Sequence, residues 1–224
     1  MGSFASSQEV GQNSSLGGAR RAWVLWLGKS AKRGFEIAFS LLALVFISPV
    51  LLVIAIAVKL DSEGPVLCVS ERIGRDGKSF RFLKFRTIVK DADSLQGALL
   101  YLKERRGNLF RMSNDPRVTR LGKVLRRYSL DELPQFFSVL TGHMSVIGLR
   151  PCLTSEYARY TKTQRRRVEA VPGITGLWQV EARTDPSSET CFALDLYYVE
   201  NWSFWLDMKI LFKTVWVVMA GTGQ

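Results

Sequence analysis

The sequence predicts a membrane-associated, monotopic α/β protein, mainly helical with one small β-hairpin. Three observations predict this. The run from Ile37 to Val58, IAFSLLALVFISPVLLVIAIAV, carries no charge yet holds Ser48-Pro49 near its middle. Basic residues flank the run on both sides: Lys29, Lys32 and Arg33 before it, and Lys59, Arg72, Arg75, Lys78, Arg81, Lys84 and Arg86 after it. Further on, Asp76-Gly77 stands between two extended-looking runs, the signature of a tight hairpin turn.

Residues 1–31 form a polar segment, rich in Gly and Ser and basic towards its end, read as mobile. Residues 32–60 follow as a re-entrant membrane helix. At about 1.5 Å per residue the uncharged run would be roughly 33 Å long, enough to span a bilayer. It is too long for a signal peptide and no small-residue cleavage site follows it. Pro49 removes a donor and leaves the carbonyl of Val45 without its helical partner, which a neighbouring serine hydroxyl can re-satisfy. The positive-inside bias pulls both flanks to the same side, which a helix broken at Ser48-Pro49 satisfies and a straight one does not. A kinked single span is the alternative.

Residues 61–224 are expected to form a cytoplasmic catalytic domain with interfacial helices. Lys84 and Arg86, two apart on the second hairpin strand, project from one face and could grip a diphosphate or simply protect an edge strand. Val118, Leu121 and Leu125 form a helical stripe with Arg120, Lys123 and Arg127 off it: an interfacial helix, or a surface helix against the core. Near the carboxyl terminus, Trp202, Trp205 and Trp216 with Lys209 and Lys213 suit the headgroup region, a buried core helix being the alternative.

A net charge of +11 over 224 residues asks for an anionic partner. Because this charge accompanies a membrane segment and interfacial tryptophans, membrane phospholipid and phosphorylated substrate rank above nucleic acid, for which no recognition motif appears. Cys68, Cys152, Cys191 and His143, the only histidine, are too scattered for a zinc site. Any metal should be hard and oxygen-bound, shared with a phosphate.

Amid the positive charge stand two adjacent carboxylates, Asp131 and Glu132, in SLDELPQF. Ser129 and Glu132 have the spacing of a capping box, which alone would stabilise a helix start by about 1 kcal/mol. Neighbours on a helix point about 100° apart and cannot straddle a glycosidic bond, so phosphoryl chemistry suits the pair better. Near a helix amino terminus and beside arginines, Asp131 is expected to stay ionised, as a carboxylate nucleophile must. Mg²⁺ and fixed arginines would offset its repulsion from a diphosphate. Pro134 removes the amide that would pair with Leu130 and should perturb the helix there.

The ordered set of the Ser48-Pro49 break, ERIGRDGKSFRFLKFRT, NDPRVTRLGKVLRRYSLDELPQ, GHMSVIGLRP, PGITGLWQV and DLYYVENWSFWLDMKIL resembles the bacterial sugar transferases, the monotopic polyprenyl-phosphate phosphoglycosyl transferases, from about Lys32 to the carboxyl terminus. The resemblance implies transfer of a sugar 1-phosphate from a UDP-sugar to undecaprenyl phosphate at the bacterial inner membrane, with the catalytic domain facing the cytoplasm and UMP released. It implies Asp131 as the nucleophile that forms a covalent phosphosugar and as a Mg²⁺ ligand, with Glu132 assisting. It further implies phosphate contacts by Lys84, Arg86, Arg117 and Arg150, and a nucleotide or sugar site shaped by Thr175, Trp178 and Gln179. The style of the motifs suggests a hexose for exopolysaccharide. Two departures bear on local contacts: Gly148-Leu149-Arg150-Pro151 where the family usually reads GPRP, and Glu181-Ala182-Arg183 where a Gly-Arg pair often follows WQV. An idle membrane scaffold that recruits glycan-assembly enzymes is the alternative function, and a homo-oligomer is left open.

Overall fold

A computed structural model describes residues 6–89, 115–182 and 188–221 of the chain. Helix α1 runs Ser6–Asp61 and stays helical through the expected break at Ser48-Pro49. The Ser48 hydroxyl donates to the Val45 carbonyl at 2.8 Å, the oxygen that Pro49 deprives of an amide. The lost hydrogen bond is thus replaced locally, as the sequence suggests. One side of α1 packs inward: Glu36 and Ser40 are buried, as are Ile54 and Val58 further along. Between Phe35 and Leu60 its other side exposes hydrocarbon, with Phe46 78 % and Leu60 82 % exposed. An apolar band of this length is unusual for water and fits lipid.

The hairpin forms where predicted. Strands β1 (Leu67–Ile73) and β2 (Ser79–Phe85) pair antiparallel, Cys68 opposite Lys84 and Arg72 opposite Phe80. Asp76 and Gly77 take φ of 57° and 76°, the left-handed turn that Asp-Gly favours. Two features exceed that prediction. A short strand β4 (Cys152–Leu153) adds to the free edge of β1, and β3 (Ser145–Ile147) pairs in parallel with β5 (Gly173–Thr175). The glycines of the two late motifs bring these backbones together: a Cβ on Gly176 would fall 2.0 Å from the Gly148 carbonyl oxygen.

Helix α2 (Arg120–Arg127) begins at Thr119, whose hydroxyl accepts from the Gly122 amide. Its Leu125 packs with Ile54 and Val58 of α1 and Phe85 of β2, while Val124 faces out. Helix α3 (Gln135–Leu140) follows Pro134, and short α4 (Leu177–Glu181) follows β5. The carboxyl-terminal pair is α5 (Ser188–Glu200) and α6 (Phe204–Met219). On α6, Asp207 and Ile210 turn inward, whereas Trp205, Phe212 and Trp216 are each 75 % exposed, which suits an interfacial helix. Trp202 departs from the sequence reading: its indole turns inward and donates to Asp207 at 3.0 Å.

That contact belongs to a polar clasp joining α1 to the rest of the fold. Lys32 Nζ donates to the Ile147 carbonyl at 2.8 Å and pairs with Asp207 at 2.8 Å. The Tyr198 hydroxyl donates to the other Asp207 oxygen at 2.7 Å. One turn along α1, Glu36 accepts from the Val146 amide at 3.1 Å and from the Ser145 hydroxyl. Removing one partner of a buried pair leaves an uncompensated charge. Lys32→Met should therefore cost about 3–5 kcal/mol, read as a lower melting temperature in nanodiscs; an unchanged melting temperature would refute the clasp's structural role.

Candidate active site

Asp131 and Glu132 lie on a single 3₁₀ turn, Leu130–Glu132, between α2 and α3. The capping-box expectation is corrected here. Ser129 adopts the left-handed region, φ 55°, and its side chain does not cap the turn. The Glu132 carboxylate reaches across to β2 instead. The 3₁₀ turn ends at Glu132 with Leu133 as its C-cap, and Pro134 is the N-cap of α3.

The partner on β2 is Lys84. Its Nζ stands 2.5 Å from Glu132 Oε1 and 3.5 Å from Asp131 Oδ2, so one ammonium binds both carboxylates. Asp131 is buried. Burial pushes its carboxyl above the ordinary range, Lys84 pulls it down, Glu132 adds to the rise, and Arg126 opposes it. The expectation that helix amides and arginines would keep this residue ionised is corrected: one 3₁₀ turn supplies little dipole, and burial outweighs the pull of Lys84 and Arg126.

These groups line a cavity of about 1110 Å³. Lys84, Arg86, Arg117, Asp131, Glu132, Arg150, Thr175 and Gln179, scattered over the sequence, all border it. Their individual situations differ. Arg86 is 8 % exposed and does not stand beside Lys84 with a free guanidinium; it donates to the Pro65 carbonyl at 2.6 Å, to the Val58 carbonyl at 3.2 Å and to the Ser62 carbonyl, fastening the end of α1. Arg117 is bound to Asp115, with NH2 2.7 Å and Nε 2.9 Å from its oxygens, an arrangement that holds the Asp115 carboxyl below the ordinary range. Arg150 lies with Cζ 5.9 Å from the centre of the Trp178 ring. The Thr175 hydroxyl shares a 2.7 Å hydrogen bond with Thr214 of α6, and Gln179 donates to the Ile174 carbonyl at 3.0 Å, so both also hold the wall in shape. Arg183 lies outside the described residues.

The sequence reading did not single out Arg126 or Arg72 as site residues. Arg126 donates to the Thr87 hydroxyl at 3.0 Å and faces Asp131. Arg72, on β1, borders the cavity near Glu132 and Arg150. Both sit in basic runs, where charge alone cannot say which cation points inward. Apolar side chains also line the cavity: Leu133, Phe136, Val180, Val217 and Val218. Val217 and Val218 belong to α6, whose outer side exposes Trp216.

No cluster of three or more His, Cys, Asp or Glu residues that could enclose a metal occurs among the described residues. A Mg²⁺ ion does not need one: it binds readily through one or two carboxylates and completes its shell with water and substrate phosphate. Asp131 and Glu132 supply hard oxygens of this kind at the cavity, already bridged by one cation, so the donor set fits a shared ion.

A family model described as bacterial sugar transferase matches residues 27–221. The exopolysaccharide production protein ExoY of Rhizobium meliloti (strain 1021) is 39 % identical over 202 residues, covering 88 % of this chain and 89 % of that protein. The galactosyl transferase CpsE of Streptococcus agalactiae serotype III (strain NEM316) is 40 % identical over 194 residues, 86 % of this chain and 43 % of that protein. The UDP-glucose:undecaprenyl-phosphate glucose-1-phosphate transferase of Klebsiella pneumoniae is 44 % identical over 194 residues, 82 % of this chain and 39 % of that protein. The chain thus spans less than half the length of the latter two.

Proposed function

Since the chain belongs to the bacterial sugar transferase family, we propose that it moves a sugar 1-phosphate from a UDP-sugar to undecaprenyl phosphate and releases UMP. The observation that carries this reading is the pair Asp131 and Glu132, joined by Lys84, at the wall of a cavity lined both by cations and by apolar side chains, Val217 and Val218 of α6 among them. One substrate is a polar diphosphate and the other a long hydrocarbon with a phosphate head. The cavity offers a surface to each.

In the first step an Asp131 oxygen attacks the phosphorus bonded to the sugar. The bond from that phosphorus to the bridging oxygen breaks, UMP leaves with the electron pair, and an acyl phosphate joins Asp131 to the sugar phosphate. Lys84 holds the carboxylate in place, and Arg126 and Arg150 stand where phosphoryl charge would gather. In the second step an oxygen of undecaprenyl phosphate attacks the same phosphorus and frees Asp131. Glu132 accepts the proton if the lipid phosphate arrives protonated. Asp131 would hold Mg²⁺, which when bound would supply neutralisation of phosphoryl charge.

The re-entrant course of α1 belongs to this proposal. It would hold the catalytic domain against the cytoplasmic face of the inner membrane, where both substrates meet. The sugar is proposed to be a hexose used for exopolysaccharide; two of the relatives named above carry galactosyl and glucose in their names at similar identity, so identity alone does not choose between them.

The test is nucleotide release without lipid. Protein in nanodiscs with Mg²⁺ is mixed with a panel of UDP-sugars and UMP is counted. A burst near one equivalent, with the sugar phosphate mass added to the protein, is expected for the true donor. Release only after polyprenyl phosphate is added would overturn the covalent route in favour of direct transfer, and silence in both cases would favour a scaffold.

A further inference from the structure

The reaction as written leaves Arg72 without a role, although its setting is unusual. It stands on β1, opposite Phe80 of β2 and Leu153 of β4, on the central strand of the three-stranded sheet. Its Cζ lies 5.2 Å from the centre of the Phe82 ring. Its one hydrogen bond is long, 3.5 Å from NH1 to the Pro151 carbonyl, and Nε is sealed from solvent with no partner among the described residues. Burial lowers its pKa and Arg150 lowers it further, while Glu156 and Glu132 pull the other way. Both guanidiniums are part-buried, and neither has a carboxylate within 4 Å among the described residues; Glu156 and Glu132 act on Arg72 from further away.

A second, independent feature lies behind Arg72. Gln135, at the start of α3, is 1 % exposed, and its amide nitrogen has no partner among the described residues. It borders a recess of about 10 Å³ shared with Arg72, Glu132, Arg150 and Gln179, a space the size of one oxygen atom with its hydrogens. The recess meets the main cavity at Arg72, Glu132, Arg150 and Gln179, which line both. Donors without acceptors therefore converge on the Glu132 side of the carboxylate pair, beside two like charges.

We propose that Arg72 and Arg150, backed by Gln135, form a phosphate-binding subsite on the Glu132 side of the pair, distinct from the Arg126 side that faces Asp131. A phosphate there brings a counter-charge closer than Glu156 or Glu132 and places an oxygen within reach of the unpartnered donors, directly or through one water. Two phosphates meet at this centre in the proposed reaction, the leaving phosphate of the nucleotide and the head of the lipid carrier, and either chemistry fits. The assignment to one or the other rests on the transferase reading; the subsite itself rests on the donors.

Arg72→Met keeps the length and the contact with Phe82 while removing charge and donors; Arg72→Lys returns the charge alone. The first measurement is binding of inorganic pyrophosphate to full-length protein in nanodiscs. Arg72→Met should weaken it at least ~10-fold, as expected for a lost charge-assisted hydrogen bond, and Lys should recover part. Gln135→Met should weaken it less, by roughly 3-fold. The UMP burst and the discharge of preformed phosphosugar by polyprenyl phosphate are then followed separately. A burst slowed at low donor and recovered at high donor assigns the subsite to the nucleotide phosphate. A normal burst with slow discharge assigns it to the lipid phosphate. Pyrophosphate affinity within about twofold of wild type in both Arg72 variants would overturn the subsite, whatever happens to the melting temperature. Wild-type protein that releases nucleotide under no condition would sink the transferase reading, while the pyrophosphate result would still decide the subsite.

Discussion

Asp131→Asn is expected to abolish both the UMP burst and lipid-linked product, by on the order of 10³-fold or more, while the folded protein melts no lower than wild type. The first part follows from the role of the carboxylate oxygen as the atom that bonds to phosphorus; an amide is a poor substitute. The second follows from burial. Its folded pKa is raised, chiefly by desolvation, above its unfolded value. A carboxyl of this kind contributes stability below its unfolded pKa, about 4, and loses that contribution as pH rises through the folded value. At neutral pH the ionised Asp131 is therefore a liability that asparagine removes, and Lys84 keeps its 2.5 Å contact with Glu132. Melting followed from about pH 4 to pH 8 should show wild type losing ground to the variant as pH rises. A variant that melts well below wild type at neutral pH would show that Asp131 is chiefly structural, and one that turns over normally would remove it as nucleophile.

This combination of lost activity and retained stability separates an enzyme from a scaffold. A scaffold has no reason to bury a carboxylate at the edge of a large cavity and surround it with lysine and arginine. The same buried charge that makes a poor structural element makes a usable nucleophile, since a carboxylate shielded from water is less well solvated and more reactive.

Much of this arrangement was legible in the sequence, for reasons that differ residue by residue. The hairpin could be read because Asp76-Gly77 demands a left-handed turn and few residue pairs meet that demand. The compensation at Pro49 could be read because the orphan carbonyl and the serine hydroxyl lie within one turn. The site residues after α1 came from ordered motifs, and the fold brings them to one cavity. Other features depend on distant partners. The Lys32–Asp207 pair joins the two ends of the chain, and in the sequence Lys32 is only one of several cations before an apolar run. Arg86 has the same local pattern as Lys84, yet α1 ends close enough to claim its guanidinium with carbonyl groups. Ser129 has the spacing of a capping box, but its left-handed backbone turns it out of the capping position. Strands β3 and β5 are only three residues each, too short for alternation to register, and depend on close approach at Gly148, Gly173 and Gly176.

Lys84 should be the most sensitive position after Asp131, and for a different reason. It is the single cation within 4 Å of both carboxylates among the described residues. Lys84→Met leaves Asp131 and Glu132 facing each other with Arg126 to one side, and removes the strongest influence holding the Asp131 pKa down. A carboxylate that takes up a proton cannot attack phosphorus. The burst should fall by roughly 10²-fold or more, the scale of losing one fixed electrostatic contact in an active site. Stability should fall too, by about 2–3 kcal/mol, less than the ~3–5 kcal/mol of a fully buried pair because the Lys84 side chain is partly open to solvent. The loss should shrink as pH falls and Asp131, whose pKa burial already raises, takes up a proton. Lys84→Arg, which can bridge both oxygens from a planar fork, should restore most of the stability and part of the rate. The double variant Lys84→Met with Glu132→Gln is the sharper measurement. It removes the like-charge clash, so the melting temperature should recover while turnover stays low. Recovery of both would mean that Lys84 serves only to neutralise Glu132; recovery of neither would mean that the ammonium is held chiefly for its packing over Phe82.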